Sequence, residues 1–123
     1  MSKASNRIVV VDDDPGIRQA LVRLLSAAGL EVTTFECGET LLAAGDAAHS
    51  GVLILDIQLP GMNGLEVHDR LQLQGMSIPT IFITGRAGER QLEQIQRLGT
   101  PCFSKPFPGA ALINAVRKRL PAA

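Results

Sequence analysis

The sequence predicts an α/β domain in which helices cover a parallel β-sheet, and three observations support this fold class. Short β-branched runs alternate with stretches of helical periodicity, the pattern of consecutive strand–helix–strand units. Three of these runs are almost continuously apolar, as expected for strands with helices on both faces. The chain has 123 residues, of which 46% are hydrophobic, and this is enough to bury the interior of one domain. We therefore expect a single domain over residues 1–123, with its folded part at about 7–120.

Five strands are predicted along the chain. The largely apolar runs Ile8–Val11, Val52–Leu55 and Thr80–Ile83 are predicted to form the buried strands. Glu31–Phe35 alternates in polarity and is expected at an edge, and Cys102–Ser104 is a short fifth strand. In an open parallel sheet, ligands bind beyond the carboxyl ends of the strands.

A helix is predicted after each strand. The first has apolar residues at i, i+3, i+4, i+7, i+8 and i+11, namely Ile17, Ala20, Leu21, Leu24, Leu25 and Ala28. Asp14 before Pro15 supplies its N-cap, and Gly29 marks its end. The later helices are expected at Glu39–Ala47, Gly64–Leu73, Glu89–Leu98 and Pro108–Leu120.

Composition argues against several classes of function. Twelve Lys and Arg residues balance twelve Asp and Glu residues, so no basic excess favours nucleic acid or an anionic membrane as a direct partner. Four Phe, with no Trp or Tyr, leave few rings for stacking on bases. Cys37 and Cys102 lack the spacing of a zinc site or a disulfide framework, and a cytoplasmic location is expected.

Polar residues that suit chemistry follow four of the predicted strands. Asp12 and Asp13 follow the first strand, Asp56 the third, Thr84 the fourth, and Lys105 the fifth. Because the carboxyl ends of parallel strands meet at one edge of the sheet, three carboxylates, a hydroxyl and an ammonium group are expected to converge there.

Clustered carboxylates repel one another, so this site would be unfavourable without a cation or protons. Oxygen ligands alone point to Mg²⁺, which commonly pairs one or two carboxylates with a substrate phosphate. A metal beside the Asp56 carboxylate, a lysine and a hydroxyl donor matches the needs of phosphoryl transfer. In this interpretation the Asp56 carboxylate attacks the phosphorus atom, and the other groups hold the equatorial oxygens of the phosphoryl group.

Four segments add a further signal: Val9–Asp14 (VVVDDD), Leu55–Gly64 (LDIQLPGMNG), Ile78–Gly85 (IPTIFITG) and Lys105–Phe107 (KPF). In this order and spacing they resemble receiver domains of bacterial two-component response regulators, and the FixJ-like subgroup in particular. The resemblance covers essentially the whole chain. It implies a flavodoxin-like (βα)5 doubly wound sandwich with a five-stranded parallel sheet in the order 2-1-3-4-5.

The resemblance also implies a role for each acidic residue. Asp56 would accept a phosphoryl group from a histidine kinase or a phosphotransfer protein. Mg²⁺ would be held by Asp13, Asp56 and the backbone carbonyl of Gln58, with Asp12 assisting through water. The domain would be a stoichiometric phosphoacceptor that assists its own phosphorylation and dephosphorylation, rather than an enzyme.

By the same resemblance, Thr84 and Lys105 would contact the phosphoryl oxygens, and the Lys105–Pro106 peptide bond would be cis, a state that is cheap only before proline. The chain differs from the family at Cys102, where an aromatic residue commonly reports phosphorylation by rotating inward. The fourth helix and fifth strand would form the switching face, with Ile95, Cys102 and Phe103 as its expected apolar residues.

The family also suggests partners. Phosphorylation of related receivers controls homodimerisation through the fourth helix and fifth strand, or controls a C-terminal DNA-binding output domain, so transcription regulation is the expected output. No direct binding of nucleic acid or membrane by this domain is expected.

Two alternatives remain from the sequence. Aspartate-nucleophile phosphatases also place a DxD motif after a first apolar strand, but they need acidic metal ligands after the lysine, and no Asp or Glu follows Lys105. A degenerate receiver could serve as an unphosphorylated interaction module. The complete set of Asp12, Asp13, Asp56, Thr84 and Lys105 argues against that reading.

Overall fold

The computed structural model describes residues 7–45, 50–86 and 88–120. One parallel sheet has the strand order β2-β1-β3-β4-β5, which confirms the predicted fold class and order. Its strands are β1 (Arg7–Val11), β2 (Glu31–Phe35), β3 (Val52–Asp56), β4 (Thr80–Thr84) and β5 (Cys102–Ser104). β2 lies at an edge, as its alternating sequence predicted.

Two strands extend one residue further towards the site than the sequence suggested. β3 ends on Asp56, which pairs with Ile83, and β4 ends on Thr84, which pairs with Ser104. Both polar residues therefore have strand geometry, and the sheet itself sets the position of their backbones.

Five helices connect and follow the strands: α1 (Pro15–Ala27), α2 (Gly38–Ala44), α3 (Gly64–Leu73), α4 (Glu89–Leu98) and α5 (Gly109–Arg119). The second helix is shorter than predicted, because Gly45 adopts a left-handed conformation with φ of 73° that ends it. Ala47, its predicted last residue, lies outside the described residues. Pro108 and Leu120 are the caps of α5 rather than its first and last residues.

α1 begins where the sequence predicted, but fewer of its apolar residues are buried than the sequence pattern suggested. The Asp14 side chain accepts a hydrogen bond from the Gly16 amide at 2.8 Å, and Pro15 is the first helical residue. Leu21 and Leu25 are fully buried, but Ala20 is exposed, contrary to the sequence pattern. An alanine contributes little apolar area, so leaving it in water costs little.

Two apolar cores fill the space between the sheet and its helices. On one face, residues of β1, β3 and β4 pack with α1 and α5, in a cluster that includes Leu21, Leu25, Leu112 and Val116. On the other face they pack with α2, α3 and α4, in a cluster that includes Leu41, Leu65, Val67, Leu71 and Ile95. Alternate strand residues supply both clusters, which explains the continuously apolar strand sequences.

The connection from β3 to α3 is closely packed. A side chain at Gly64 would overlap the backbone carbonyl of Asp56, so only glycine fits there. Asn63 then begins α3 with a capping box: it accepts from the Glu66 amide, and its own amide donates to the Glu66 carboxylate, both at 3.0 Å. The chain after Asp56 is therefore tied to a rigid helix.

Among the described residues, no helix combines the length and apolar character needed to cross a membrane.

Candidate functional site

The carboxyl edge of the sheet brings together the polar side chains that the sequence singled out. Asp12 follows β1, Asp56 ends β3, Thr84 ends β4, and Lys105 follows β5. Asp12, Asp56 and Thr84 are buried, with relative exposures of 0%, 2% and 4%. Polar groups buried at this depth in a small domain need specific partners.

Three carboxylates form a tight cluster. Asp12, Asp13 and Asp56 each offer an oxygen atom within 4.8 Å of the other two. Asp13 is exposed, whereas the other two are buried. The cluster is thus open to solvent on one side and enclosed on the other.

Lys105 supplies the positive charge closest to the cluster. Its Nζ lies 2.9 Å from Asp12 Oδ2, and it donates a hydrogen bond to Asp56 Oδ2 at 3.1 Å. The Lys105 amide donates to the Thr84 carbonyl at 2.8 Å, and this bond holds the Lys105 backbone beside the end of β4. The following bond to Pro106 is cis, as predicted. The structure therefore places Lys105 against two of the three carboxylates.

The electrostatics of the cluster favour an additional cation. Burial raises the pKa of Asp56, and the neighbouring Asp12 charge raises it further. Hydrogen bonds from the Gln58 amide and Lys105 oppose this shift without cancelling it. Burial alone would lower the pKa of Lys105, but contacts with Asp12 and Asp56 outweigh it and raise that pKa.

The donor set fits Mg²⁺. All three side chains are carboxylates, the hard oxygen ligands that this ion prefers. Asp12 Oδ2 is buried, and its one close partner among the described residues is the Lys105 ammonium group at 2.9 Å. Even with the Arg18 guanidinium near Asp12 counted beside the Lys105 ammonium group, three carboxylates leave negative charge uncompensated, which a divalent cation would neutralise.

Thr84 is engaged with the loop after β3. Its hydroxyl donates to Gln58 Oε1 at 3.4 Å and accepts from the Arg86 amide at 3.1 Å. The Arg86 amide also donates to Gln58 Oε1 at 3.2 Å. The Gln58 side chain therefore links the loops after β3 and β4, a role that sequence reasoning missed because it had considered only the Gln58 backbone carbonyl.

A second residue outside the predicted set also contacts the site. Arg18 of α1 donates from Nη1 to the Asp12 carbonyl oxygen at 2.6 Å. The only signal in the sequence is its position one helical turn after the N-cap Asp14, which places it near the beginning of the helix beside the acidic residues.

The face formed by α4 and β5 differs from expectation in its apolar residues. Ile95 is only 3% exposed and belongs to the core, so it cannot contribute to a surface. Cys102 and Phe103 are half-buried and pack on opposite sides of the sheet. The large apolar side chains that α4 exposes are Leu92 and Leu98.

The chain is similar in sequence to known regulators. The family pattern of the response regulator receiver domain matches residues 8–117. The chain is 38% identical over 118 residues to the C4-dicarboxylate transport transcriptional regulatory protein DctD of Pseudomonas aeruginosa, covering 95% of this chain and 26% of that protein. It is 36% identical over 112 residues to the transcriptional regulatory protein FixJ of Azorhizobium caulinodans, covering 90% of this chain and 53% of FixJ. The chain thus spans about half or less of these relatives.

Solved structures support the same relationship. The response regulator StyR superposes with a TM-score of 0.84 at 36% identity, covering 93% of this chain and 58% of that one. The chemotaxis protein CheY4 of Vibrio cholerae superposes with a TM-score of 0.80 at 30% identity, covering 95% of this chain and 100% of that one. With its fold, its acidic strand ends and these similarities, the chain belongs to the receiver-domain family of two-component response regulators.

Proposed function

We propose that this domain, over residues 1–123, accepts a phosphoryl group on Asp56 from a histidine kinase or a phosphotransfer protein. The observation that carries the proposal is the position of the Asp56 carboxylate. It ends a central strand, shares a cluster with Asp12 and Asp13, and accepts a hydrogen bond from Lys105. A carboxylate nucleophile, a lysine and a metal site in contact are the parts that phosphoryl transfer needs.

In the transfer step, an Asp56 carboxylate oxygen forms a bond to phosphorus while the bond from phosphorus to the imidazole nitrogen of the donor breaks. The leaving imidazole keeps the electron pair of that bond and takes up a proton. Lys105, already at Asp56, binds one phosphoryl oxygen, and the Thr84 hydroxyl turns from Gln58 to bind another. The protein contributes position and charge, which supply most of the rate in this chemistry.

Receiver domains use Mg²⁺, and here Asp12, Asp13, Asp56 and the backbone carbonyl of Gln58 would hold it. When bound, the ion would neutralise charge on the carboxylates and on the phosphoryl oxygens. Asp56 is consumed in the step until the acyl phosphate is hydrolysed, so the domain acts as a stoichiometric phosphoacceptor that assists both reactions.

The output follows from the bond that Thr84 exchanges. Because its hydroxyl contacts Gln58 in one state and the phosphoryl group in the other, phosphorylation shifts an equilibrium between two arrangements of the loop that leads into α4. The face of α4 and β5 would then pair with a second receiver or act on a DNA-binding output domain. Leu92 and Leu98 give α4 exposed apolar area for such a contact.

The proposal is tested by mass spectrometry of the intact protein after incubation with acetyl phosphate and MgCl2. The parent should gain the mass of one phosphoryl group, and Asp56→Asn should gain none. Asp69→Asn is the matched control, because Asp69 lies on α3 with a side chain that is 71% exposed. Labelling of Asp56→Asn at the parent's rate would show that the nucleophile is elsewhere.

A further inference from the structure

The contact between Arg18 and Asp12 lies at a specific peptide group. The carbonyl that accepts the 2.6 Å hydrogen bond from Arg18 Nη1 belongs to the peptide that joins Asp12 to Asp13. Both of these residues contribute an oxygen to the acidic cluster. The orientation of that one peptide plane therefore affects the directions of both carboxylates.

Among the described residues, Arg18 is the one partner that the Asp12 carbonyl itself has, and the other contacts of this turn are made by neighbouring groups. The Asp12 amide donates to the Phe35 carbonyl at 3.1 Å, which continues the pairing of β1 with β2. The Asp14 amide donates to Asp12 Oδ1 at 2.9 Å, which closes a turn around the Asp12–Asp13 peptide from the side-chain end and leaves its carbonyl to Arg18. Asp13 is exposed, and its side chain makes no hydrogen bond within the described part of the chain. Among the described residues, therefore, the backbone is what sets the direction of the Asp13 carboxylate.

Arg18 is well placed to restrain that backbone. It is half-buried on the first turns of α1, whose beginning is fixed by the Asp14 cap and Pro15. A guanidinium that donates to a carbonyl forms a charge-assisted hydrogen bond, which is shorter and stronger than a neutral one. The contact therefore ties the acidic turn to a rigid helix.

We infer that Arg18 is a positioning residue for the divalent cation, which orients the Asp12–Asp13 peptide so that both carboxylates point at Asp56. This inference rests on the proposed function, because it concerns the metal site of that function. Residues that orient metal ligands typically contribute roughly 10- to 100-fold to metal affinity.

If Arg18 acts only through its charge, its removal should change the Mg²⁺ affinity in one direction; if it acts by positioning the ligands, in the other. Removing a cation near a cation site should strengthen Mg²⁺ binding if only the electrostatic field matters. Removing a positioning contact should weaken it, because the turn must be ordered when the ion binds. The sign of the change in affinity therefore decides between the two.

The experiment is calorimetric titration of MgCl2 into the parent and the Arg18→Met protein, since the chain has no Trp or Tyr to report binding by fluorescence. Methionine keeps the apolar stem and removes the donor. We expect roughly ten-fold weaker binding. Arg23→Met is the matched control: it removes the same charge from the exposed side of α1, where Arg23 makes no polar contact among the described residues, and it should bind as the parent does or slightly tighter.

A second readout separates positioning from a general loss of structure. With acetyl phosphate as donor, which avoids any effect on kinase docking, Arg18→Met should need more Mg²⁺ for half-maximal labelling but reach the parent's rate at saturation. A purely structural role would lower the thermal midpoint and leave the Mg²⁺ requirement unchanged. If Arg18→Met does not fold, Arg18→Gln provides the same comparison, with the same expected direction.

Asp13→Asn serves as the benchmark, because it removes a charged ligand directly. If Asp13→Asn weakens Mg²⁺ binding while Arg18→Met binds as tightly as the parent or tighter, the inference about Arg18 is wrong and the proposed metal site stands. If the parent binds no Mg²⁺ and Asp13→Asn changes nothing, the proposed function itself fails, and the inference fails with it.

Discussion

The loops after β1 and β3 differ from the loop after β4 in how their backbones are held. In the first, Arg18 and the Asp14 cap fix the turn to α1. In the loop after β3, the Gly64 amide donates to the Ile57 carbonyl at 3.0 Å, and Asn63, the residue before Gly64, caps α3 through its capping box. Both loops pass directly into capped helices, and both carry the candidate metal ligands.

The loop after β4 has less restraint of this kind. Its Arg86 amide is shared between Thr84 Oγ1 and Gln58 Oε1, both of which are side-chain acceptors. The N-cap of α4 is Gly88, which has no side chain to accept from the helix; its amide donates to Gln91 Oε1 at 3.1 Å, so only half of a capping box is present. The difference teaches that the loops with the candidate metal ligands are each tied to the capped helix that follows them, whereas the loop after β4 is held by the Gln58 side chain of another loop.

The largest expected effect tests this contrast with two glycines. Gly64→Ala should lower the free energy of unfolding by about 3 kcal/mol, because the new methyl group would overlap the Asp56 carbonyl. Gly88→Ala should lower the free energy of unfolding by less than about 1 kcal/mol, since the one described atom near the new methyl group is Gln91 Oε1 at 4.0 Å. Urea denaturation followed by circular dichroism measures both, and equal losses would remove the contrast.

A smaller effect is expected for the charge balance of the site. Without Mg²⁺, Lys105→Met should cost about 2 kcal/mol at neutral pH, because it leaves Asp12 and Asp56 without their ammonium partner. Lys118→Met is the control, since Lys118 is exposed on α5. The same denaturation measurement applies, and an unchanged stability of Lys105→Met would mean that the ion pair contributes nothing.

The pH dependence of that loss follows from the two pKa shifts. The folded state raises the pKa of Lys105, so its stabilisation is complete below the ordinary lysine pKa and disappears as the pH rises through the raised value. The folded state also raises the pKa of Asp56, so the cost of its charge is absent at low pH and develops as the pH rises through that value. The deficit of Lys105→Met should therefore shrink on acidification. A deficit that grows towards low pH would contradict this assignment.

The smallest expected effect concerns the responding loop. Beryllofluoride, a phosphoryl mimic, should change amide hydrogen exchange by about five-fold within residues 86–103 as Thr84 leaves Gln58. Amides of α1 and α2 should change less, and Asp56→Asn is the control that cannot hold the mimic. Changes confined to α1 or α2 would show that the response does not run through the loop after β4.

Much of the fold was predictable because local signals agree with the tertiary structure. The β-branched apolar runs placed every strand to within one residue, and the Asp14–Pro15 pair placed the start of α1. The end of α2 was missed, because the sequence pattern continues past Gly45 while the backbone there turns left-handed. A glycine can adopt that conformation but does not require it.

The site was predictable to the extent that strand ends share an edge. That rule brought Asp12, Asp56, Thr84 and Lys105 together without knowledge of any contact. The contacts of the Arg18 and Gln58 side chains depend on rotamers and on the packing of other elements, which local sequence does not encode.

The Lys105–Asp56 contact joins residues that are 49 positions apart, and this separation has a consequence for synthesis of the protein. A nascent chain carries all three carboxylates once β3 has been made, but it has no ammonium partner for them until the residue after β5 emerges. Translation therefore delivers the three carboxylates well before their counter-charge. Competence to accept a phosphoryl group would be acquired only once Lys105 has emerged, so that chains interrupted before it would not compete for the donor.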